Sequence, residues 1–390
     1  MLGANITALN KKNGGIRPIA VGETIRRIAC KCAMRRVEPQ LSSLLAPLQL
    51  GFGVRAGLDA AIHSTRDKLY CDAESRIFLK LDFRNAFNTI RRDHIADCLQ
   101  THAPSLSQLF HACYSEPSYL TFGDEIFFSD EGLQQGDPLA PAYFCVDLHD
   151  ILCGLRTPFK TAYLDDISLL GNAESVSRDL LYFIPACENI GLALNSEKCE
   201  LTFLNNSRES ITCQQIYEQL PNLKLVPLRE VTLLGAALGD TSLDTLLKEF
   251  LTSFGIVSQR LLKLSSHDAL FLLRTCLSMP KLLHTLRTSP SFTRIDLLKE
   301  IDSAFSQTLS SVLNTNLNPS QITQVSLPVK FGGFGIVSSV HIASSAFLSS
   351  LHAADPTCRL ISPKWNLLYI TTYQTSLTQW KSQCPAPRPT

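Results

Sequence analysis

The sequence has no run of about 18 or more apolar residues, so nothing in it reads as a membrane-spanning helix and no membrane partner is expected. Its opening residues, MLGANITALNKKNGG, lack the apolar stretch of a signal peptide. An intracellular protein is therefore expected, with nucleus or cytoplasm left open. The 13 cysteines follow neither a zinc-finger spacing nor the short frame of a disulfide-stapled secreted domain, and are expected to be reduced and mostly buried. Internal repeats and long low-complexity segments are also missing, which excludes solenoids and linker-like chains. A net charge of only +1 argues against a protein coated in nucleic acid.

What remains is an ordinary globular composition, 45% hydrophobic and 18% charged, in a chain of 390 residues, long enough for two or three subdomains. Charge is unevenly spread along it. Residues 1–40 hold eight basic residues, Lys11, Lys12, Arg17, Arg26, Arg27, Lys31, Arg35 and Arg36, against Glu23 and Glu38. That is a net +6, which leaves −5 on the other 350 residues. A basic segment on an acidic body suits contact with phosphates; it also suits a solvated helix whose charges face water.

Residues 10–22 read as a glycine-turned hairpin leading into a helix, ETIRRIACKCAMRRV, with Ile25, Ile28, Ala29 and Cys32 on one face. RIFLKLDF (76–83) alternates, with Ile77, Leu79, Leu81 and Phe83 opposite Arg76, Phe78, Lys80 and Asp82, and reads as a half-buried strand ending near Asp82. Residues 127–155 open as a Gly/Pro loop and close as a helix with Pro141 at its first position and Phe144, Leu148, Ile151, Leu152 and Leu155 at helical spacing. A helix over 173–190 follows, then the polar LNSEKCE, then an apolar strand pair around CELTFLN and VTLLGAALG. From about 241 to 315 the helical period dominates, and the tail SQCPAPRPT is expected to fray.

TAYLDDISLL (161–170) sets Asp165 and Asp166 side by side between two apolar runs. In a regular strand adjacent side chains diverge, but at a tight antiparallel turn both reach one rim. Two carboxylates so placed repel each other unless a cation neutralises them, and a divalent metal does that. Alone, Leu-Asp-Asp is a weak signal and reads as an ordinary hairpin tip. Asp82, at the end of its own strand, is the natural third carboxylate, and a two-metal phosphoryl-transfer site needs such further oxygen ligands.

In order, FLKLDFRNAFNTI, GLQQGDPLAPAYF, AYLDDISLL, GLALNSEKCEL and LLGAALG resemble the palm motifs of reverse transcriptases, and GGIRPIAVGETIRRI resembles their fingers segment. The likeness is to the non-LTR retrotransposon type and extends to LPVKFGGFGIVSSVHIASSAFLSSL, covering nearly the whole chain. It implies an α+β right-hand polymerase fold: partial fingers over 1–75, a palm built on an antiparallel sheet flanked by helices over 76–240, a helical thumb over 241–320 and a C-terminal extension over 321–390. It implies RNA-directed DNA polymerase activity, with an RNA template, a DNA primer, deoxynucleoside triphosphates and two Mg²⁺ ions, Mn²⁺ being a substitute.

By the same resemblance Asp82, Asp165 and Asp166 hold the metals, Asp166 less directly, and Lys198 acts near the departing pyrophosphate. Arg17, Phe83, Phe87, Gln135 and Gly136 bind the nucleotide, Arg17 at the triphosphate and Phe87 under the sugar, where it excludes a 2′-hydroxyl. Phe87 is otherwise a core residue, and Lys198 and Arg17 are otherwise solvated surface charges. Phe87 also disfavours an RNA-dependent RNA polymerase. Two positions depart from the pattern. Ala140 stands before Pro141 where many relatives carry Ser, and Leu164 stands where Ala is common, adding bulk beside a primer terminus. Neither removes a metal ligand. With fingers that begin abruptly and no recognisable endonuclease or zinc-binding region, the expectation is a fragment, a degraded copy or a domesticated gene that does not transpose alone. The alternative function is a catalytically lapsed fold that only binds nucleic acid.

Overall fold

The computed structural model describes residues 3–10, 14–71, 77–204 and 211–383. Lys11, Lys12, Arg76 and the tail from residue 384, which includes most of the segment expected to fray, lie outside them. The chain divides into two units: Met1–Ala61, Lys68–Val226 and Leu360–Ser362 make the first, and Ile62–Asp67, Pro227–Arg359 and Pro363–Thr390 the second.

The first unit opens with the expected hairpin, β1 (Ala4–Asn10) and β2 (Ile16–Gly22), followed by α1 (Thr24–Leu45) and by α2 (Gly57–Cys71), of which Ile62–Asp67 counts with the second unit. Next come β3 (Ile77–Leu81), α3 (Ala86–Thr89), α4 (Arg92–His102), α5 (Pro104–Tyr114), β4 (Ser118–Phe122) and β5 (Glu125–Ser129). Then follow α6 (Ala140–Gly154), β6 (Phe159–Tyr163), β7 (Asp166–Gly171), α7 (Ala173–Asn189), β8 (Glu200–Phe203), α8 (Ile211–Gln219) and β9 (Lys224–Leu225). One sheet has the order β2-β1-β4-β5 and the other β6-β7-β3-β8-β9, with all neighbours antiparallel except β1 with β4 and β8 with β9. The fold is α+β, with the antiparallel sheet and the flanking helices that were expected.

Three local readings change. On α1 the face carrying Ile25 and Ile28 is turned to water, at 81% and 56% exposure, and the buried stripe is Arg26, Cys30, Val37, Leu41 and Leu45. That stripe keeps the helical period, and Arg26 is admitted to it because a buried carboxylate, Asp137, waits there. On β3, Phe78 is fully buried opposite Leu79, so the strand is covered on both faces and not half-buried. β3 lies between β7 and β8 in the interior of the sheet, where alternation gives way to a continuous apolar run. Finally, Phe127 and Phe128 belong to β5 and the loop occupies 130–139.

The core of this unit packs α6 and α7 with the sheet. Phe144, Leu148, Ile151 and Leu152 are buried along α6 at the spacing that predicted it. Each such side chain contributes about 1.5–3 kcal/mol relative to exposure. Pro141 sits in the first turn of α6, where its missing N–H is not needed.

In the second unit a short hairpin, β10 (Thr232–Leu233) and β11 (Ala236–Ala237), precedes the helices. β8 and β10 thus lie in different sheets and do not pair, contrary to expectation. The helical run over 241–315 is α9 (Asp240–Leu261), α10 (Ser266–Leu272), α11 (Met279–Thr288) and α12 (Ile295–Val312). After it come α13 (Pro319–Ser326), α14 (Ser339–Ile361) and α15 (Thr371–Gln383). Phe254 and Phe305 meet edge to face at 4.9 Å, joining α9 to α12. Among the described residues no helix is long and apolar enough to cross a membrane.

Candidate active site

β6 and β7 pair as far as Tyr163 with Asp166, which leaves Leu164 and Asp165 to make the turn. β3 runs beside β7 with Leu81 opposite Ile167, so the next residue, Asp82, emerges beside Asp166. Three carboxylates therefore gather at one end of two adjacent strands. Burial raises Asp165 above its ordinary range and the charge of Asp82 raises it further, while Arg17 and Lys198 oppose. Asp166 is pushed up to about 6, first by burial and then by Asp165 and Asp82, with Lys80 and Lys198 opposing. Asp82 Oδ1 is shut off from solvent without a hydrogen bond, and Lys198 Nζ stands 3.5 Å from it. An all-oxygen cluster with an orphaned oxygen and raised carboxyls fits a hard divalent cation.

Main-chain bonds fix this arrangement. Asn195 N donates to Asp82 O at 2.8 Å, and Lys198 N donates to Asn195 O at 2.9 Å, so the segment that clamps the end of β3 also delivers Lys198. The hairpin is held from another direction by Gln49, a residue that sequence reading missed. Leu164 adopts φ 55°, a left-handed conformation that is costly for a bulky side chain. Its N–H donates to Gln49 Oε1 at 2.8 Å, and Gln49 Nε2 donates to Leu164 O at 3.1 Å. A Cβ on Gly51 would meet Leu164 N at 2.6 Å and Leu164 Cγ at 2.8 Å, so the added bulk of Leu164 rests over a glycine. A polar residue between two leucines, two positions before Gly51, was the available signal.

The loop bearing Gln135 and Gly136 is stitched on both sides. Leu133 N donates to Phe87 O at 2.5 Å, and Ala20 N of β2 donates to Gln135 O at 2.7 Å. Gly136 has φ 132°, and a Cβ there would lie 2.3 Å from Ala20 O, so only glycine lets β2 approach. Phe87, half-buried, stacks on Phe144 with ring centroids 4.8 Å apart. Arg17 is exposed on β2 and forms no ion pair among the described residues, yet it is near enough to weigh on Asp165. Phe83 needs correction: it is 4% exposed, packed in the core with its ring 6.1 Å from Phe183, so its side chain is not available to a nucleotide.

A second set of residues was not legible. Asp137 Oδ2 accepts from Arg26 Nη2 at 2.8 Å and from Tyr114 Oη at 2.7 Å, and Oδ1 accepts from Leu139 N at 2.9 Å. Gln134 Nε2 donates to Ser118 Oγ at 2.6 Å. Burial works against the Arg26 charge, but Asp137 and its neighbours outweigh that and raise the guanidinium above its ordinary value. Arg26 and Arg92 flank the Tyr114 ring at 5.2 and 5.1 Å. Nothing in the sequence pairs residues 26 and 137. The network holds the loop that carries Gln135 and Gly136.

A family model for reverse transcriptase (RNA-dependent DNA polymerase) matches residues 9–238, well over half of the chain. The chain belongs to the reverse transcriptase family. The match spans every residue assembled above, from Arg17 to Lys198. A Trypanosoma brucei gambiense protein, the retrotransposable element SLACS 132 kDa protein, is 26% identical to this reverse transcriptase over 357 residues. The alignment takes in 88% of this chain and 29% of that protein, in line with the retrotransposon type read from the motifs. Among solved structures, telomerase from Candida albicans with a fragment of telomeric RNA is similar at 11% identity and a TM-score of 0.49, covering 97% of this chain and 64% of that one. Apo telomerase from Candida tropicalis is similar at 12% identity and a TM-score of 0.44, covering 98% and 69%.

Proposed function

We propose that the chain extends a DNA primer 3′-hydroxyl with deoxynucleoside triphosphates on an RNA template, by two-metal nucleotidyl transfer. The observation that carries this is the convergence of Asp82, Asp165 and Asp166 with an orphaned Asp82 oxygen. Residues 1–75, 76–240, 241–320 and 321–390 are assigned as fingers, palm, thumb and C-terminal extension.

Asp82 and Asp165 would hold two Mg²⁺ ions, with Mn²⁺ as a substitute and Asp166 beside them. When bound, the ions lower the pKa of the primer hydroxyl and neutralise charge on the transferring phosphoryl group. Lys198, half-exposed and aimed at Asp82, carries a proton where pyrophosphate would depart. Arg17 adds positive charge on the same side. The Phe87 ring, fixed by its stack on Phe144, forms a floor that excludes a 2′-hydroxyl. Gln135 and Gly136 line the nucleotide, the glycine allowing close backbone approach. Lys31, Arg35 and Arg36 on the exposed side of α1 form no ion pairs among the described residues and suit backbone phosphates.

The test is primer extension on an RNA template with Mg²⁺, comparing wild type with Asp165→Ala and deoxy- with ribonucleotides. Incorporation of deoxynucleotides by the wild type alone supports the reading, and Phe87→Ala is then expected to admit ribonucleotides. Salt-sensitive binding of primer–template without incorporation by folded wild type overturns it in favour of a lapsed, binding-only fold.

A further inference from the structure

Away from the carboxylate hairpin, the faces of α4 and α6 that meet carry a second set of ligand-type side chains. His94 and Cys98 stand four residues apart on α4 and so share one face. Asp147 faces them from α6. His94 Nδ1 lies 2.6 Å from Asp147 Oδ1 and 3.6 Å from Cys98 Sγ, and one donor atom from each of the three lies within 4.8 Å of the others. The Asp147 side chain is wholly buried, and its Oδ2 has no hydrogen-bond partner. His94 is 40% exposed, which gives the cluster an opening to water.

A plain His–Asp clamp between the helices accounts for only part of this. It uses Nδ1 and Oδ1 and leaves Oδ2 without a hydrogen bond, with only the weak Cys98 thiol close enough to act on the carboxylate. We propose that His94, Cys98 and Asp147 form a binding site for a zinc-class divalent ion, with imidazole, thiolate and carboxylate as ligands and water in the fourth position beside His94. Thiolate with imidazole selects such an ion over Mg²⁺ or Ca²⁺. Zn–S and Zn–N bonds of about 2.3 and 2.0–2.1 Å in a tetrahedron put sulfur and nitrogen roughly 3.5 Å apart, close to the spacing found here. The 2.6 Å contact to Oδ1 is a hydrogen-bond spacing, so binding widens it or brings in the unpartnered Oδ2. The Cys98 thiol proton and the proton between His94 and Asp147 leave to solvent as the ion enters. Such an ion would tie α4 to α6, the helix that follows the Gln135–Gly136 loop.

Further along the same helices, His102 Nε2 lies 3.1 Å from Asp150 Oδ2, and His149 Nε2 lies 3.6 Å from Cys153 Sγ. Among the described residues only the first cluster brings three donors together, and the second supplies the control. The full chain, stripped with chelator, is titrated with Co²⁺ and then Zn²⁺. The expected result is a sulfur-to-cobalt charge-transfer band that saturates at one Co²⁺ per chain and is displaced by Zn²⁺. Cys98→Ser abolishes the band and weakens Zn²⁺ binding by about 100-fold or more. Cys153→Ser and Asp165→Ala keep both, which separates this site from its neighbour and from the polymerase carboxylates. A band that survives Cys98→Ser, or wild type that shows no such band, overturns the proposal. If Asp147→Asn does not fold, His94→Gln, altered at a part-exposed position, gives the second reading on the same band.

Discussion

Asp137 and the Asp82–Asp165–Asp166 set lie in the same unit of the protein and differ in what meets them. Asp137 has three donors, Arg26, Tyr114 and the Leu139 N–H, and both of its oxygens are used. The hairpin set has an orphaned Asp82 oxygen, a lysine at 3.5 Å, and two carboxyls raised by burial and by the Asp82 charge, Asp166 also by Asp165. A carboxylate saturated by protein donors is a structural tie; one left short of them is prepared for a cation from outside.

The contrast breaks most sharply at Asp165. Asp165→Ala is expected to lower primer extension by about 10³-fold or more, the loss that follows when several kcal/mol of charge stabilisation disappear. The same variant should melt at or above the wild-type temperature, because a repelled charge has been removed. Extension within tenfold of wild type would show that the hairpin does not serve catalysis.

Arg26→Ala probes the saturated site. It leaves Asp137 buried without its cation, and urea denaturation should register a loss of about 3–5 kcal/mol. A loss under about 1 kcal/mol would mean that Tyr114 and the Leu139 N–H suffice, and that the ion pair is not what holds the loop. Gln49→Ala lies between the two sites in character, since Gln49 touches the hairpin but none of its carboxylates. Freed from two hydrogen bonds, Leu164 can leave φ 55° and shift Asp165, with an expected fall in extension of about 10²-fold and little change in nucleotide KM. A change confined to KM would instead assign Gln49 to binding.

How far the sequence disclosed these roles follows from the range of each interaction. Strand ends, the hairpin turn at Leu164–Asp165 and the first turn of α6 are local, and local patterning placed them. Arg26 with Asp137 and Gln49 with Leu164 are pairings more than 100 residues apart, and a single sequence carries no sign of them. The same gap misled the reading of α1. Arg26 is buried because its partner Asp137 lies there, and Ile25 and Ile28 face water instead. Phe78 was misjudged because alternation reports one covered face, and β3 has two. Phe83, given as a nucleotide contact by the family resemblance, lies in the core on the side of Leu79 and Leu81, opposite Asp82, as the alternation indicated.

The smallest expected effect has the most informative sign. Asp166 carries a folded-state pKa of about 6 against 3.8 for an unperturbed carboxyl. A raised value means that the folded protein binds the proton more tightly, so the stabilisation it brings is complete below pH 3.8 and is lost as pH rises through about 6. In chelator, Asp166→Asn should therefore flatten the stability profile between these values and melt slightly higher than wild type at pH 7. Adding Mg²⁺ at pH 7 should raise the melting temperature of wild type and shift the variant less, since the cation takes over what the proton supplied. Asp137→Asn is the matched control, and it should destabilise at pH 7 with or without Mg²⁺, because the charge it removes is already paired with Arg26. If both variants destabilise alike in chelator, Asp166 is satisfied by the protein after all and the distinction between the two kinds of carboxylate fails.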